Sequence, residues 1–328
     1  MKTEILTLLK ETEGYVSGQE LCDRFGVSRT AVWKVINGLK DEGYEIISVP
    51  RRGYYLKSVP DILSESEIAS CMRTKWLGRQ VVYFEETDST NTQAKRLAEE
   101  GAESGTLVVA DMQTAGKGRR GRSWQQSSGT MISMTFILKP EFPPDEASML
   151  TLVAAHSVAK AIEEETGLTA SIKWPNDIII NGKKIVGILT EMSLSVEQDC
   201  IHYVVVGIGI NVNLTEIPEE IRETATSLSL ETGRSIGRSK LIARVMEYFE
   251  KDYEQFLETG DLSGILDSYN AHLISMDREV RILDPKGEYT GISRGMNRVG
   301  ELLVEREDGS TVNVYAGEVS VRGLYGYV

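Results

Sequence analysis

Three amphipathic helical patterns and two short extended runs occupy the first sixty residues. The apolar run Ile5–Leu9 predicts a first helix, and Gly18–Phe25 predicts a second that turns at Gly26. Ser28 stands where an N-cap is expected, and apolar residues at helical spacing follow it from Val32 to Leu39. Two helices joined by a glycine-containing turn make up the helix-turn-helix pattern.

The polar face of the third predicted helix and the loop between the extended runs carry groups that suit DNA. Tyr44–Val49 and Gly53–Leu56 have the pattern of a wing, with Arg51 and Arg52 at its tip. The candidate DNA-binding residues are Ser28, Arg29, Thr30, Trp33, Lys34, Asn37, Arg51 and Arg52. A small helical bundle used for protein contacts is the alternative interpretation.

Beyond a helical connector at Asp61–Ser70, the pattern alternates between strands and helices. The predicted strands are Val81–Glu85, Thr106–Asp111, Thr130–Leu138, Ile178–Ile180, Lys184–Thr190 and Tyr203–Ile210. The predicted helices are Asn91–Glu100, Asp145–Thr166, Arg238–Glu258 and Leu262–His272. Asn181-Gly182 is a hairpin turn signal. A mixed sheet with packed helices, an α+β fold, is the expected architecture.

From about Asp277 onward only short extended runs and turns remain. The predicted strands are Val280–Leu283, Tyr289–Ser293, Leu302–Glu305, Thr311–Tyr315 and Val319–Arg322. This pattern indicates a small β-barrel. We therefore expect three domains: a winged helix-turn-helix at 1–64, a mixed-sheet domain at 65–275 and a β-barrel at 276–328.

Composition narrows the class of protein. Of the 328 residues, 41% are hydrophobic and 26% charged, as in ordinary globular proteins. No apolar run approaches the roughly 18 residues of a membrane span, and Met1–Lys10 is too charged for a signal peptide. Three scattered cysteines suggest reduced thiols, and three histidines lack metal-ligand spacing. We expect a cytoplasmic chain with no membrane contact and no zinc site.

The net charge of −13 is unevenly distributed. Residues 1–60 hold nine Lys/Arg and eight Asp/Glu, whereas the remaining residues hold 27 and 41. The acidic excess therefore lies outside the N-terminal segment, which stays close to neutral and free to approach phosphate.

The segment Gly116–Arg122, GKGRRGR, has the composition of an anion-binding element and is called the Gly/Arg segment below. Glycines let backbone N–H groups face a ligand, and arginines match phosphate or carboxylate with a planar fork. The segment lacks the GK[ST] ending of a P-loop. Trp124 is an apolar residue that could anchor it. The alternative is a disordered basic surface loop.

Three further clusters have the character of a site. Ser89-Thr90-Asn91 begins a predicted helix, where hydroxyls and free backbone donors can hold a polar group. Lys173–Asp177, KWPND, combines a cation, an amide and a carboxylate around a proline. Lys184 follows the tight hairpin. The respective alternatives are a capping-box fragment, a strand end with a turn, and a solvated surface lysine.

These motifs together resemble the biotin–protein ligases. The resemblance rests on STN at 89–91, Gln113, the Gly/Arg segment, Trp124, KWPND at 173–177, GKKIVGIL at 182–189 and GIGINV at 207–212. The motifs occur in the order and spacing of that family. With the winged helix ahead of them, nearly the whole chain resembles the bacterial bifunctional form, which also represses genes of biotin synthesis and uptake.

The resemblance implies a reaction and assigns roles. The carboxylate of biotin attacks the α-phosphate of ATP to give biotinyl-5′-adenylate and pyrophosphate, and a lysine of a biotin carboxyl carrier protein or domain then takes the biotin. Lys184 and Arg119 are the implied catalytic residues. The implied biotin-binding residues are Ser89, Thr90, Asn91, Gln113, Lys117, Gly118, Arg119, Trp124, Lys184 and Gly187. The implied ATP or adenylate contacts are Arg120, Arg122, Asn176, Asp177, Asn211 and Arg322.

The same resemblance implies the cofactors and partners. Mg²⁺ enters with ATP, with Asp177 as a candidate contact and no metal site formed by protein alone. Biotin serves as substrate and as precursor of the corepressor. Operator DNA and a homodimer in the adenylate-bound state are the remaining partners. The resemblance also implies that the C-terminal β-barrel is SH3-like. GISRG at 291–295 and GEVSVR at 317–322 match the family pattern there, and Glu318 and Arg322 have either a functional or a purely structural role.

Two departures from the family pattern and two rival functions remain open. Lys117 stands where many relatives have Arg, which keeps the charge but not the fork. No aromatic residue occurs around Thr224–Leu228, where some relatives place a Trp against adenine. A non-catalytic ligand-sensing repressor and a lipoate or octanoyl transferase are the rivals.

Overall fold

The computed structural model of the chain describes residues 1–118, 128–195, 200–284 and 287–315, and the backbone of residues 320–323. Five of the candidate residues lie outside the described residues: Arg119, Arg120, Arg122, Trp124 and Glu318. Of Arg322 only the backbone is described. Within these parts of the chain, no helix combines the length and apolar character needed to cross a membrane.

The N-terminal module has the predicted winged helix-turn-helix arrangement. It consists of α1 (Lys2–Glu11), α2 (Gly18–Phe25), α3 (Arg29–Asp41), β1 (Glu45–Val49) and β2 (Gly53–Ser58). The Ser28 hydroxyl accepts a hydrogen bond from Ala31 N–H, as an N-cap does, and Gly26 ends α2 in the left-handed conformation. Twelve buried apolar residues form a core separate from the rest of the chain.

A seven-stranded mixed sheet forms the centre of the molecule. Its strands are β3 (Val81–Thr87), β4 (Leu107–Gln113), β5 (Met131–Leu138), β6 (Ser171–Lys173), β7 (Asp177–Ile180), β8 (Lys183–Ser195) and β9 (Cys200–Asn211). Their order is β3-β4-β5-β9-β8-β7-β6, with only the β3–β4 pair parallel. Asn181 and Gly182 both have positive φ, as the two-residue turn between β7 and β8 requires.

Helices cover both faces of this sheet. They are α4 (Glu65–Cys71), α5 (Thr90–Glu99), α6 (Met149–Thr166), α7 (Leu228–Thr232), α8 (Arg238–Thr259) and α9 (Leu266–His272). Strand alternation sends Ile132, Met134 and Phe136 into the main core, which α6 and α8 share. The other face packs against α5, where Ala94 and Ala98 meet Ile137 in a smaller cluster.

Three helices begin later than the sequence pattern predicts, and one strand was missed. Asp61 stays outside α4 because Ser64 caps this helix: its hydroxyl accepts a hydrogen bond from the Glu67 N–H. Residues Pro144–Ser148 form a 3-10 turn, so α6 starts only at Met149. Helix α9 starts at Leu266, after Gly264. The three-residue strand β6 is too short to show an alternating pattern.

The C-terminal segment is a five-stranded antiparallel sheet, in keeping with the predicted all-β module. Its strands are β10 (Glu279–Leu283), β11 (Tyr289–Met296), β12 (Leu302–Glu305), β13 (Thr311–Val314) and β14 (Ser320–Gly323). Their order is β13-β12-β11-β10-β14. The Trp174 indole donates to the carbonyl of Gly300 at 3.2 Å, which attaches this module to the central sheet.

A buried acidic residue joins the N-terminal module to α4. The Glu67 side chain is only 4% exposed, and it accepts hydrogen bonds from Lys10 Nζ at 2.6 Å and from Tyr44 Oη at 2.5 Å. Both donors belong to the N-terminal module. Because burial excludes water from the cluster, losing either donor would leave a poorly solvated carboxylate.

A second buried ionic cluster centres on Arg238, the first residue of α8. Its side chain is 2% exposed and pairs with Asp61 at 3.0 Å and with Asp111 at 2.7 Å. Asp61 lies in the connector to the N-terminal module, whereas Asp111 lies on β4 and accepts hydrogen bonds from Ser128 and Gly129. Burial disfavours the ionised form of Asp111. Hydrogen bonds from Ser128 and Arg238 outweigh it and hold the pKa of this carboxyl below its ordinary value.

We predict that Arg238→Met destabilises the protein by about 3–5 kcal/mol at pH 7, because two partly buried carboxylates lose their counter-charge. Since the folded-state pKa of Asp111 is lowered, its stabilising contribution exists above the unfolded-state pKa and disappears as pH falls through the folded-state value. The deficit of the variant should therefore shrink below about pH 4. Urea unfolding across this pH range measures it. Lys251→Met, at an exposed position of the same helix, is the control and should shift stability by less than about 1 kcal/mol. A deficit that does not change with pH would contradict the ionic explanation.

Candidate active site

A pocket opens on the α5 face of the central sheet, where the strands carry polar residues and glycine instead of apolar residues. It is lined by Ser89, Thr90, Asn91, Gln113, Lys117, Gly118, Ser133, Asn176, Lys184, Gly187, Ile188, Leu189, Gly207, Ile208 and Gly209. The start of α5, the end of β4 and the facing segments of β8 and β9 therefore meet at one place. Separate sequence motifs converge there.

One wall of the pocket is a hydrogen-bonded set of polar side chains. Gln113 Oε1 accepts from the backbone N–H of Thr90 at 2.8 Å and lies 3.1 Å from its hydroxyl. Gln113 Nε2 donates to Ser133 Oγ at 3.1 Å. These bonds fix the orientation of the Gln113 amide, since its oxygen must face the Thr90 N–H.

Asn91 is held on all sides by protein groups. Its Nδ2 donates to a carboxylate oxygen of Glu191 at 2.8 Å and lies 3.3 Å from the Leu189 carbonyl oxygen. Its Oδ1 lies 2.7 Å from the hydroxyl of Thr135, which is fully buried on β5. The resemblance implies that Asn91 contacts biotin, whereas the geometry also makes it a brace of the pocket wall.

Ser89 is the residue of the STN motif whose side chain is least used by the fold. It is the N-cap of α5 and 3% exposed, yet its hydroxyl makes no capping hydrogen bond. Within the described residues no other side-chain partner is found for it. A buried hydroxyl on a pocket wall is suited to hydrogen-bond a polar group of a ligand.

Glycines from β8 and β9 keep the space beside Asn91 open. Gly187 pairs with Gly209, and Leu189 pairs with Gly207 in the antiparallel register. A Cβ atom at residue 207 would lie 2.0 Å from Asn91 Oδ1 and 2.8 Å from its Cγ. Any side chain at this position would therefore displace Asn91.

Lys184 reaches the pocket because of a β-bulge. Ile178 pairs with Val186 and Ile179 pairs with Lys184, so Ile185 is an extra residue on β8. Without the bulge, Lys184 would point to the same face as the core residue Val186. With it, Ile185 stays fully buried in the core and Lys184 lines the pocket.

The Lys184 ammonium forms an ion pair with a carboxylate of the protein. Its Nζ lies 2.7 Å from Asp177 Oδ1, which also accepts from Asn176 Nδ2 at 3.0 Å. Asp177 and Asn176 follow the cis peptide bond between Trp174 and Pro175. The structure therefore gathers the amide and carboxylate of KWPND around the pocket lysine.

The remaining predicted ligand contacts fall into two groups. Lys117 and Gly118, the last described residues of the Gly/Arg segment, line the pocket. Asn211 does not. It is buried and donates to the Thr226 carbonyl at 3.0 Å, in a segment whose backbone pairs with Lys184. Asn211 thus supports the segment that pairs with the backbone of Lys184.

The helix-turn-helix face presents the predicted DNA-contacting groups. Trp33 is 57% exposed at the surface of α3, where Thr30 and Lys34 are also exposed. Arg52 lies over the ring of Tyr15, with its guanidinium carbon 4.4 Å from the ring centroid. Arg29 donates to Gln19 Oε1 at 2.8 Å. A large exposed aromatic side chain between cations is unusual for a purely structural helix.

Sequence reasoning missed Ser133, which lines the pocket, and Thr135 and Glu191, which hydrogen-bond to Asn91 behind it. Ser133 and Thr135 alternate with Ile132, Met134 and Phe136 in the sequence, but Glu191 carries no such signal. The sequence also gives no sign that Ser268, His156 and Asp252 come together. His156 lies 2.7 Å from Asp252 and 2.9 Å from Ser268. This cluster packs between α6, α8 and α9 and does not line the pocket.

Fold and site together define a DNA-binding module joined to a catalytic domain with a polar pocket that a lysine lines. Comparisons with known proteins agree with this class. Residues 83–211 match the Biotin/lipoate A/B protein ligase family, residues 2–55 match an HTH domain, and residues 276–322 match the Biotin protein ligase C terminal domain.

Curated relatives match over nearly the whole length. The bifunctional ligase/repressor BirA of Bacillus subtilis is 41% identical over 94% of both chains. The protein of the same name from Salmonella typhimurium is 31% identical over 97% of this chain and 96% of its own. The biotin protein ligase from Aquifex aeolicus, solved with biotin and ATP, has a TM-score of 0.65 at 33% identity, covering 75% of this chain and 99% of that one. The chain belongs to the family of bifunctional biotin ligase/repressors.

We predict that Gly207→Ala raises the KM for biotin by about 10- to 100-fold, because overpacking costs of about 1–3 kcal/mol fall on a braced pocket residue. Steady-state pyrophosphate release with varied biotin measures the change. Gly38→Ala is the control, since a Cβ at that helical position meets nothing within 4 Å. An unchanged KM for biotin in Gly207→Ala would show that Asn91 can move at no cost.

Proposed function

We propose that this ATP-dependent biotin ligase and repressor activates biotin in the pocket on the α5 face. A biotin carboxylate oxygen attacks the α-phosphorus of ATP, and pyrophosphate leaves. The amine of an acceptor lysine then attacks the carbonyl carbon of the adenylate, and AMP leaves. The position of Lys184 carries this proposal: an ammonium projects into a polar pocket on a strand held from both sides.

Lys184 contributes by bringing two anions together. Carboxylate and phosphate repel one another, and an ammonium between them lowers that repulsion as the new bond forms. Its contact with the carboxylate of Asp177 at 2.7 Å shows that the ammonium can pair with a carboxylate at this place. No protein nucleophile takes part in this chemistry.

Mg²⁺ that accompanies ATP would neutralise the polyphosphate and assist pyrophosphate departure. Within the described residues, no group of three or more His, Cys, Asp or Glu side chains could hold a metal ion. Mg²⁺ typically takes one or two carboxylates and the phosphates of its substrate. Asp177, next to Lys184, suits that role as the protein contact.

We place the ureido ring of biotin against Ser89, Thr90 and Gln113. A ureido group offers one carbonyl oxygen and two N–H donors, which hydroxyls and an amide can satisfy. Lipoate has an apolar dithiolane ring, which would leave these buried polar groups without a ligand partner. This favours biotin over the lipoate or octanoyl alternative. Competition between biotin and lipoate in the adenylation assay tests the choice.

Incubating the protein with labelled biotin, Mg-ATP and a biotin carboxyl carrier domain tests the whole reaction. Label should appear on the carrier domain only when ATP is present, with one pyrophosphate released per biotin activated. A ligand-sensing repressor without enzymatic activity would bind biotin and release no pyrophosphate. The repressor function predicts, in addition, that the same mixture alters binding to operator DNA.

We predict that Lys184→Ala lowers the rate of adenylate formation by about 10²-fold or more, as the loss of one oxyanion donor does in other enzymes. Single-turnover formation of biotinyl-adenylate measures this step separately from transfer. Lys183→Ala removes the same charge from the preceding residue, which does not line the pocket, and should keep a rate within about twofold of the wild type. Near wild-type formation in Lys184→Ala would remove this lysine from the chemistry.

We propose that the exposed face of α3 enters the major groove and that the wing meets phosphate. Ser28, Arg29, Thr30, Trp33, Lys34 and Asn37 form or cap this face. Arg51 occupies the turn of the wing with a positive φ, and Arg52 is held beside it over Tyr15. A preorganised cation loses less side-chain entropy when it binds phosphate.

We predict that the Arg51→Ala/Arg52→Ala variant binds operator DNA with a salt slope reduced by up to about 2, since each lost phosphate contact removes about 0.9. Binding isotherms between 50 and 200 mM salt give the slope. Lys2→Ala/Lys57→Ala is the matched control, because these two lysines are paired with Glu42 and Glu45. Equal slopes for the two double variants would exclude the wing contact.

We propose a homodimer in the adenylate-bound state, in the cytoplasm. Residues 189–195 of β8 pair with β9 on one side, and β7 ends its pairing at Gly187 on the other. Met192 and Leu194 on this segment are exposed. A strand segment with exposed apolar residues can pair with a second copy of the chain. Sedimentation with and without biotin and Mg-ATP tests the dimer.

A further inference from the structure

The hydrogen-bond network behind the pocket has a fixed starting point at Glu191. This residue lies on β8, and its two carboxylate oxygens receive Asn91 Nδ2 at 2.8 Å and Lys95 Nζ at 2.5 Å. A carboxylate can only accept hydrogen bonds. The Asn91 amide must therefore present its nitrogen to Glu191 and its oxygen to the opposite side.

The orientation of Asn91 decides the direction of the next bonds. Asn91 Oδ1 carries no proton, so the hydroxyl of Thr135 at 2.7 Å must donate to it. A hydroxyl has one proton, so the 2.8 Å contact between Thr135 and Thr90 then requires the proton of Thr90. The oxygen of Gln113 therefore accepts a hydrogen bond from the backbone N–H of Thr90 at 2.8 Å and not from the Thr90 hydroxyl.

The electrostatics of Glu191 support this role as an ionised acceptor. Burial disfavours its charged form, but hydrogen bonds from Asn91 and Lys95 and the charges of Lys95 and Lys117 outweigh the burial. They hold the pKa of this carboxyl below its ordinary value. Glu191 is therefore ionised at neutral pH, and the pattern that it imposes is kept.

We propose that Glu191 is a positioning residue for biotin recognition: it sets the donor and acceptor pattern of the wall that runs through Asn91, Thr135, Thr90 and Gln113. The inference rests on the proposed placement of the ureido ring against that wall. Glu191 itself does not line the pocket. Its effect reaches the ligand through the orientation of the amides and hydroxyls of the wall. A wall whose hydrogen-bond donors and acceptors are fixed suits a head group that has both a carbonyl and N–H groups.

Glu191→Gln tests the inference with little change of shape. A glutamine can present either its oxygen or its nitrogen, so the Asn91 amide loses its fixed orientation. The KM for biotin should rise about tenfold, and the KM for desthiobiotin, which keeps the ureido ring, should rise by the same factor. The KM for ATP and kcat should change less than about twofold. Glu99→Gln, near the far end of α5, is the matched control and should match the wild type.

Thr135→Val provides a second variant, since it removes the hydroxyl that joins Asn91 to Thr90 and nearly keeps the volume. Because both changes act on one network, the double variant should raise the KM for biotin by clearly less than the product of the single effects. Multiplicative effects would overturn the proposal. So would a KM for biotin within twofold of the wild type in Glu191→Gln, or equal increases in the KM values for biotin and ATP.

Two further measurements separate the possible failures. The wild type is assayed first, because a protein that releases no pyrophosphate with biotin contradicts the proposed function itself rather than the role of Glu191. Thermal unfolding is recorded for every variant. A lowered melting temperature with unchanged KM for biotin would assign Glu191 to stability alone and overturn the inference.

Discussion

The one-residue bulge on β8 at Ile185 is the constraint on which the catalytic site depends. A regular β7–β8 ladder would place Lys184 on the core face with Val186, where a charged ammonium would be costly to bury. The extra residue keeps Ile185 in the core and turns Lys184 to the polar face. On that face the lysine pairs with Asp177 and lines the same pocket as the glycines of β8 and β9 and the start of α5. The lysine is a catalytic candidate because of where the backbone places it.

Buried polar groups link the DNA-binding module and its connector to the rest of the molecule. Glu67 accepts from Lys10 and Tyr44, and Arg238 joins Asp61 in the connector to Asp111 on β4. Asp111 in turn binds Ser128 and Gly129, the first described residues after the Gly/Arg segment. Partly buried ionic bonds of this kind depend strongly on geometry. The connector and the strand that leads into the pocket thus share one buried cation.

Most of the regular structure could be predicted from local patterns. The bounds of α2, the cap at Ser28 and the Asn181-Gly182 turn follow from residue chemistry that acts over a few positions, and the structure confirms them. The start of α9 and the short strand β6 could not be predicted, because neighbours distant in sequence decide them. The motifs STN, KWPND and Lys184 were recognised as parts of a site, and the pocket brings them together.

The sequence by itself determined the order of modules, the helix caps, the turns and the chemical types available to the site, because each of these depends on nearby residues. Only the tertiary structure decided which side chains meet. The bulge that directs Lys184, the contact that requires glycine at 207, and the carboxylate of Glu191 behind Asn91 all join residues far apart in the chain. Such contacts arise from strand register and helix packing, which no local pattern encodes.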